Sequence, residues 1–276
     1  LAAGYGRSSG PGFDLRLERP GIYAFRDALV ESGIEKSDAQ RLALAAGRSW
    51  TVFRRRRSTN PAIRRPHWLT LPESDALSTL CLLGAWSGAS VADCQVVESL
   101  AGCAYDLIER KLRVLAQEDD SPILLIGKVW HVKSPLELLD LYAGRLTTEE
   151  LDRFFETVES LLVHPDPQLE LPSDKRWMAQ VYGKVRSESG LLLESVCDTL
   201  VKFAVRGQDY PELAALSLDA RVASLVHRLL DGADDARWLS LASHLRPLAE
   251  AAPGAFLTAV ESSLDSPGSP VARCRT

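Results

Sequence analysis

The sequence predicts a mainly α-helical protein that contains one small β-hairpin. Leu, Ala, Arg and Glu are abundant and runs of β-branched residues are scarce, a composition that favours helices over sheets. The exception is the segment 122–132, in which apolar residues flank Gly127-Lys128 in the order strand, turn, strand. The chain of 276 residues is 46% hydrophobic and 25% charged, which is typical of a globular protein with two or three compact units.

Three predicted helices precede this hairpin. Helical patterns cover Asp75–Trp86, Val91–Leu100 and Cys103–Gln117. Three short helices followed by a hairpin form the layout of a winged helix, and we assign residues 67–146 to such a domain. Winged helices either read DNA, with a recognition helix in the major groove, or serve as rigid switch modules in signalling proteins.

Residues 1–66 are predicted to form a small helical region. A Gly/Ser-rich start is followed by three short helical patterns, each with a capping or stop signal. The predicted helices are Gly21–Ser32, stopped by Gly33; Asp38–Ala46, capped by Ser37; and Trp50–Arg57, capped by Ser49. Because three short helices bury little core by themselves, we expect a neighbouring domain upstream of Leu1.

Residues 147–276 are predicted to form a helical-repeat-like array. Thr147 and Thr148 precede two glutamates, a pattern that begins a helix. Beyond a proline-rich break at 165–172, helical patterns cover Ser173–Arg186, Ser189–Val205, Leu218–Leu230, Ala233–Ala251 and Pro253–Leu264. Short links between such helices indicate an α-solenoid-like array, although no sequence repeat is visible.

The overall charge and the lack of long apolar runs exclude several kinds of partner. A net charge of −5 gives the whole chain no electrostatic attraction to nucleic acid or anionic lipid. No apolar stretch approaches the roughly 20 residues that span a bilayer, and we expect no signal peptide in Leu1 to Gly12, which has neither a basic start nor an apolar core. We therefore expect a cytoplasmic protein with no membrane partner, in which Cys81, flanked by Leu80, Leu82 and Leu83, is a small buried side chain.

No catalytic constellation, metal site or cofactor is predicted in this chain. The five histidines form no i, i+4 pair, and the cysteines show no metal-knuckle spacing. No Ser–His–Asp set is recognisable, although such triads are spatial. The glycine-rich residues 4–10 lack the lysine of a phosphate-binding loop. We therefore expect the chain to be no enzyme on its own.

Four consecutive arginines are the main basic feature: Arg54, Arg55, Arg56 and Arg57. On a helix they point all round the axis and cannot all face one partner. They are interpreted either as a solvated helix end or as a contact to phosphate from nucleotide or nucleic acid. The presumed recognition helix, by contrast, carries balanced charges and runs into Glu118-Asp119-Asp120, which disfavours DNA reading.

Three stretches resemble bacterial NTPases of the STAND type. Leu17-Glu18-Arg19-Pro20 through Ile34, followed by Ala46-Gly47-Arg48-Ser49 through Arg55, resembles the lid that closes the ATPase module. A winged helix follows the lid in that class, as is predicted here. Finally, Leu245-Arg246-Pro247 through Leu257 resembles a part of the long helical arm of large members.

The resemblance implies a regulatory segment of a larger signalling protein, several relatives of which act in antiphage defence. Such proteins join an effector, a P-loop ATPase that uses ATP or ADP with Mg, a lid, a winged helix and a sensor arm. The upstream ATPase domain would be one partner. A protein trigger or other subunits would bind the helical array.

The same resemblance places four residues near the nucleotide: Arg48, Ser49, His131 and Ser134. The class often has a histidine followed by an acid at the start of the helix after the wing, where this chain has Ser134-Pro135. Ser134 is therefore also interpreted as a helix cap. The alternative function is a winged-helix DNA-binding transcription regulator whose helical C-terminal half dimerises or binds an effector.

Overall fold

The computed structural model describes residues 21–46, 50–209, 211–265 and 269–273. It is mainly helical and contains one small antiparallel sheet, which confirms the predicted fold class. The chain forms two compact units, Leu1–Leu69 and Thr70–Thr276. Among the helices of the described ranges, none combines the length and the apolar character needed to cross a membrane.

The first unit is a small helical cluster. Its helices are α1 (Ile22–Glu31), α2 (Lys36–Ala46), α3 (Trp50–Arg57) and α4 (Pro61–Arg64). Gly33 has a φ of +88° and follows the end of α1, as predicted, because a glycine adopts this left-handed conformation without strain. Helices α1, α2 and α3 share an apolar core that includes Leu29, Ala39, Ala43, Val52 and Phe53.

Helix α2 begins earlier than predicted, because Glu35 and not Ser37 caps it. The Glu35 carboxylate accepts hydrogen bonds from the backbone N–H groups of Ser37 (2.9 Å) and Asp38 (3.2 Å). The Ser37 hydroxyl also donates to it, and these hydrogen bonds lower the pKa of Glu35. The predicted cap of α3, Ser49, lies outside the described residues.

The second unit begins with the predicted winged helix. A 3₁₀ turn (Pro72–Ala76) leads into α5 (Leu77–Leu80), β1 (Ala85–Ser87), α6 (Val91–Ala101), α7 (Tyr105–Ala116), β2 (Ile123–Ile126) and β3 (Val129–Val132). The strands form an antiparallel sheet in the order β1-β3-β2. Three helices and three strands in this sequence form the winged-helix arrangement, with α7 in the place of the recognition helix.

The predicted helix Asp75–Trp86 is wrong at its end, where the sequence forms β1. Gly84 adopts a φ of +73°, which stops the helical segment, and Trp86 then pairs with Trp130 of β3. The two indole rings are buried and stack with centroids 6.5 Å apart. This pair forms the inner face of the sheet and fills the core between the strands and the helices.

The chain continues as a set of packed helices. They are α8 (Pro135–Tyr142), α9 (Thr148–Val163), α10 (Gly190–Arg206), α11 (Pro211–Ala214), α12 (Leu218–Leu230), α13 (Asp235–Ser240), α14 (Leu245–Ala251), α15 (Pro253–Asp265) and α16 (Pro270–Arg273). Thr147 and Glu150 form a capping box at the start of α9, as the sequence indicates. Helix α10 packs against α9, α12, α14 and strand β1 and is the centre of the unit.

Two predicted helices differ from the structure. Residues 173–186 form a 3₁₀ segment (Ser173–Met178) followed by turns, and its Trp177 is 81% exposed. A helix here would have no core to pack against, and packing supplies most helix stability. The predicted helix Ala233–Ala251 breaks at 241–244, because the Pro247 ring would clash with the carbonyl four residues earlier in a continuous helix.

Candidate functional site

A buried carboxylate joins the winged helix to α10. Asp93, in the first turn of α6, is completely buried and accepts three hydrogen bonds. Its Oδ1 accepts from the backbone N–H of Ser189 (2.7 Å). Its Oδ2 accepts from the Ser189 hydroxyl (2.5 Å) and from the N–H of Ser87 (2.8 Å). One side chain therefore links β1, α6 and the N-cap of α10.

Two further contacts tighten this junction. The Ser90 hydroxyl caps α6 by accepting from the N–H of Asp93 (3.1 Å) and donates to the carbonyl of Ser187 (3.1 Å). Gly84 lies so close to α10 that a Cβ at this position would be 3.3 Å from the Ser195 Cβ. Because Gly84 also needs its positive φ, the residue is required both for the turn and for the close approach.

The outer face of α7 is partly apolar and nearly neutral. Leu107 and Val114 are 46% and 44% exposed, and their spacing of seven residues places them on one face of the helix. Arg113 forms an ion pair with Glu109 (2.8 Å), and Arg110 donates to the Asp106 carbonyl (3.2 Å). Two of the cations of this helix are thus engaged within it, which is unlike a helix that neutralises DNA phosphates.

Two of the four residues predicted near a nucleotide, His131 and Ser134, lie in the described part of the chain. His131 lies in β3, where it is partly buried and faces the same side of the sheet as its partners Leu124 and Ala85. Ser134 stands three residues later at the N-terminus of α8 and is buried. Arg48 and Ser49 lie outside the described residues.

Ser134 occupies the predicted N-cap position of α8 but does not cap the helix with its side chain. Its buried hydroxyl makes no hydrogen bond to any residue in the described part of the chain. A buried hydroxyl without a partner costs free energy that a cap bond would have recovered. The prediction that Ser134 caps the helix through its hydroxyl is therefore wrong, although Pro135 does begin the helix.

The four arginines of α3 point in different directions, as expected. Arg55 is buried, Arg56 is partly buried, and Arg54 and Arg57 are exposed on the last turn of the helix. These two exposed cations lie near the negative end of the α3 dipole, which favours them. They are the two arginines of the block that a phosphate could reach most directly.

A cleft of about 910 Å³ lies in the helical array, between α10 and α14. One lining residue is Arg186, whose guanidinium donates to the carbonyls of Leu161 (3.2 Å) and His164 (2.9 Å) and lies 3.7 Å from the Asp166 carboxylate. Its other charged lining residues are Glu194, Asp198, Lys202, Arg246 and Glu250. No sequence signal pointed to this cleft, because its walls are about 50 residues apart in the chain.

The pKa values of two titratable groups in the cleft are lowered. Burial lowers the pKa of His244, the nearby Arg186 guanidinium lowers it further, and Glu194 partly opposes both. Burial also lowers the pKa of Lys202, against the attraction of Asp198. Within the described residues, no group of His, Cys, Asp or Glu side chains is arranged to hold a metal ion.

The buried thiols are inert. Burial raises the pKa of both Cys81 and Cys197 to about 12, so neither is ionised near neutral pH. Cys81 lies in the segment of leucines that its sequence context indicated, and it is buried there as predicted. Neither residue is a candidate nucleophile.

Comparisons with protein-family models, curated proteins and solved structures give no match to this chain. The chain is therefore described by its fold alone, which is a winged helix joined to a helical array. Its function is argued from the surfaces and sites described above.

The depressed pKa of His244 leads to a prediction about acid stability. Because the folded state resists protonation of this imidazole, the unfolded state binds the proton more readily below the ordinary histidine pKa. Stability from this group is therefore fully present above pH about 6.5 and is lost as the pH falls below that value. We expect His244→Gln to show a smaller loss of urea midpoint between pH 7.5 and pH 5.5 than the unsubstituted chain.

His227→Gln provides the matched control, because His227 is exposed on α12. It should retain the acid sensitivity of the unsubstituted protein. Equal pH dependence in His244→Gln and His227→Gln would show that burial of His244 does not contribute to acid sensitivity.

Proposed function

We propose that this chain is a regulatory, non-catalytic segment of a larger STAND-like signalling NTPase. In this proposal, the parent protein binds ATP or ADP with Mg in an upstream ATPase domain. The winged helix and the helical array pass on the nucleotide state and bind a trigger protein or other subunits. A role in antiphage defence would follow from the resemblance in the sequence.

The observation that carries this proposal is the junction at Asp93. A DNA-reading winged helix needs a free, basic recognition surface, whereas a switch module needs a rigid connection to the element that it moves. Here the carboxylate of Asp93 fixes the start of α10 to β1 and α6. A displacement of the winged helix would therefore be carried into α10, and through α10 to the helices packed on it.

The outer face of α7 supports a protein partner. Leu107 and Val114 offer apolar area to a partner, and the surrounding charges are balanced rather than basic. We propose that the upstream ATPase domain covers this face. Leu107→Glu together with Val114→Glu should weaken capture of that domain at least about tenfold, since two charges would be buried without partners.

Val205→Glu is the control for this experiment, because Val205 is also an exposed apolar residue but lies on α10. The region of the gene preceding this segment should first be read in frame. A Walker-type loop there would support the proposal. A start codon near Leu1 and a stop codon after Thr276 would contradict it, as would tight binding of MgADP by the chain alone.

The alternative function, DNA binding, is tested by titrating the chain with a labelled duplex of 30 base pairs at low salt. We expect binding no tighter than the non-specific range of about 10⁻⁴–10⁻⁶ M. Nanomolar binding that falls steeply with salt and is lost in Arg54→Gln/Arg57→Gln would favour the alternative. Lys36→Gln/Arg41→Gln removes two exposed positive charges from α2 of the same unit and is the control.

A further inference from the structure

Besides Arg186 and Asp166, the cleft between α10 and α14 is lined by charged side chains that form no close ion pair with a described residue and that are exposed, apart from the partly buried Lys202. Within the described ranges, five of its lining side chains make no hydrogen bond and no ion pair shorter than 4.0 Å: Glu194, Asp198, Lys202, Arg246 and Glu250. Elsewhere in the same unit, charged side chains do pair. Arg228, for example, binds both carboxylate oxygens of Glu159 at 2.9 and 2.7 Å.

A buried polar side chain also lines this cleft without a partner. His244 is only 9% exposed, and its imidazole makes no hydrogen bond to any described residue. Burial and the neighbouring Arg186 lower its pKa and thus favour the neutral ring, which can donate one hydrogen bond and accept another. Because this ring lines the cleft and makes no hydrogen bond to a described residue, its nitrogen atoms are available to a ligand there.

The charges of α10 follow a fixed order along one wall. Glu194, Asp198 and Lys202 are spaced by four residues and therefore lie on one face of the helix. At a rise of about 1.5 Å per residue, the first carboxylate and the ammonium are separated by roughly 12 Å along the axis. The wall thus presents negative charge towards the N-terminus of α10 and positive charge towards its C-terminus.

This charge pattern restricts the ligand. A polyanion such as a nucleotide would meet the carboxylates of Glu194, Asp198 and Glu250, and a polycation would meet Lys202 and Arg246. A ligand with one group of each sign avoids both repulsions. An extended tripeptide spans roughly 10 Å, close to the separation of the charges, and a cleft of about 910 Å³ leaves room for its side chains.

We propose that this cleft binds a short zwitterionic peptide. Its ammonium group lies against Glu194 and Asp198, its carboxylate lies against Lys202, and the His244 imidazole hydrogen-bonds its backbone. The site is separate from the outer face of α7, so the proposal does not depend on the role of the winged helix. It assigns a ligand class to the helical array that neither fold nor sequence specifies.

The test is a calorimetric titration of the full chain with triglycine, up to about 10 mM. Acetyl-triglycine, which lacks the positive charge, and triglycine amide, which lacks the negative charge, are the matched probes. Each should bind about tenfold more weakly than triglycine, because each loses one charge-assisted hydrogen bond. No binding of triglycine, or equal binding of the three peptides, would overturn the proposal.

Two variants test which end of the peptide lies against Lys202 and which lies against Glu194 and Asp198. Lys202→Met should bind triglycine as weakly as the unsubstituted chain binds triglycine amide. Amidation of the peptide should then cause no further loss of affinity for this variant. Glu194→Gln/Asp198→Asn should bind triglycine as weakly as the unsubstituted chain binds acetyl-triglycine, and acetylation of the peptide should then cause no further loss of affinity. If the two variants instead weaken all three peptides equally, the proposed orientation is wrong.

Lys128→Met, in the exposed turn of the hairpin, is the control and should leave all three affinities unchanged. Circular dichroism of each variant checks that it is folded. Lys202→Arg keeps the positive charge and should retain discrimination against the amide even if Lys202→Met does not fold.

Discussion

Replacement of Asp93 by alanine is expected to lower the free energy of unfolding of the second unit by about 3 kcal/mol. The substitution leaves the N–H groups of Ser87 and Ser189 and the Ser189 hydroxyl buried without their acceptor. Each such group costs about 1–3 kcal/mol, and partial relaxation reduces the sum. With a urea slope of about 2–3 kcal/mol/M, the midpoint should fall by roughly 1–1.5 M.

Two further variants define the origin of this loss. Asp93→Asn retains the shape but offers one acceptor oxygen, and its NH₂ group faces a donor, so it should also be clearly destabilised. Asp119→Ala removes an exposed carboxylate from the loop after α7 and should stay within about 0.5 kcal/mol of the unsubstituted protein. A loss below about 1 kcal/mol in Asp93→Ala would show that the junction contributes little to stability.

The junction also makes a prediction about cooperativity. In the unsubstituted protein, the winged helix and α10 should unfold together, because Asp93 bonds them directly. In Asp93→Ala, hydrogen exchange of β1 and α6 should become faster than that of the centre of α10. If the proposed coupling is right, binding of a partner to the α7 face should no longer change the hydrogen exchange of the helical array in this variant.

Replacement of Trp130 by alanine is expected to cost about 3–5 kcal/mol. The indole is buried, stacks on Trp86, and pairs across the sheet with both β1 and β2. Truncation removes a large apolar side chain and leaves a cavity that the flanking strands cannot close. Urea unfolding followed by far-ultraviolet circular dichroism measures the loss.

Trp177→Ala is the matched control for Trp130→Ala. It deletes the same side chain from a site that is 81% exposed and should change the stability by less than about 0.5 kcal/mol. Trp130→Phe should lie between the two, because it keeps part of the buried area. Similar losses in the two alanine variants would mean that Trp130 is not the core residue that the structure shows.

The sequence determined the elements whose signals are local. The capping box at Thr147 and Glu150, the stop at Gly33 and the hairpin turn at Gly127 each depend on residues within a few positions of one another. Helices α10, α12 and α15 were predicted within one residue of their bounds; α10 has a serine cap and α15 a proline at its start, whereas Ser217 before α12 makes no side-chain cap bond. The winged-helix layout followed from the local patterns of α6, α7 and the hairpin, taken in order.

Only the tertiary structure decided the features that depend on distant partners. Strand β1 has three residues and forms because Trp86 meets Trp130, 44 residues later. Residues 173–186 stay largely non-helical because no core covers Trp177. Both outcomes depend on packing, which overrides local propensity where a segment is short or unsupported.

The candidate sites were equally invisible in the sequence. The sequence around Asp93 indicates only an acid in the first turn of a helix, because its partner Ser189 lies 96 residues away. The cleft combines α10 with α14, whose residues show no shared motif. Residues close in sequence determine where the helices begin and end. The burial of the Asp93 carboxylate and the grouping of charged side chains in the cleft arise only when distant helices pack together.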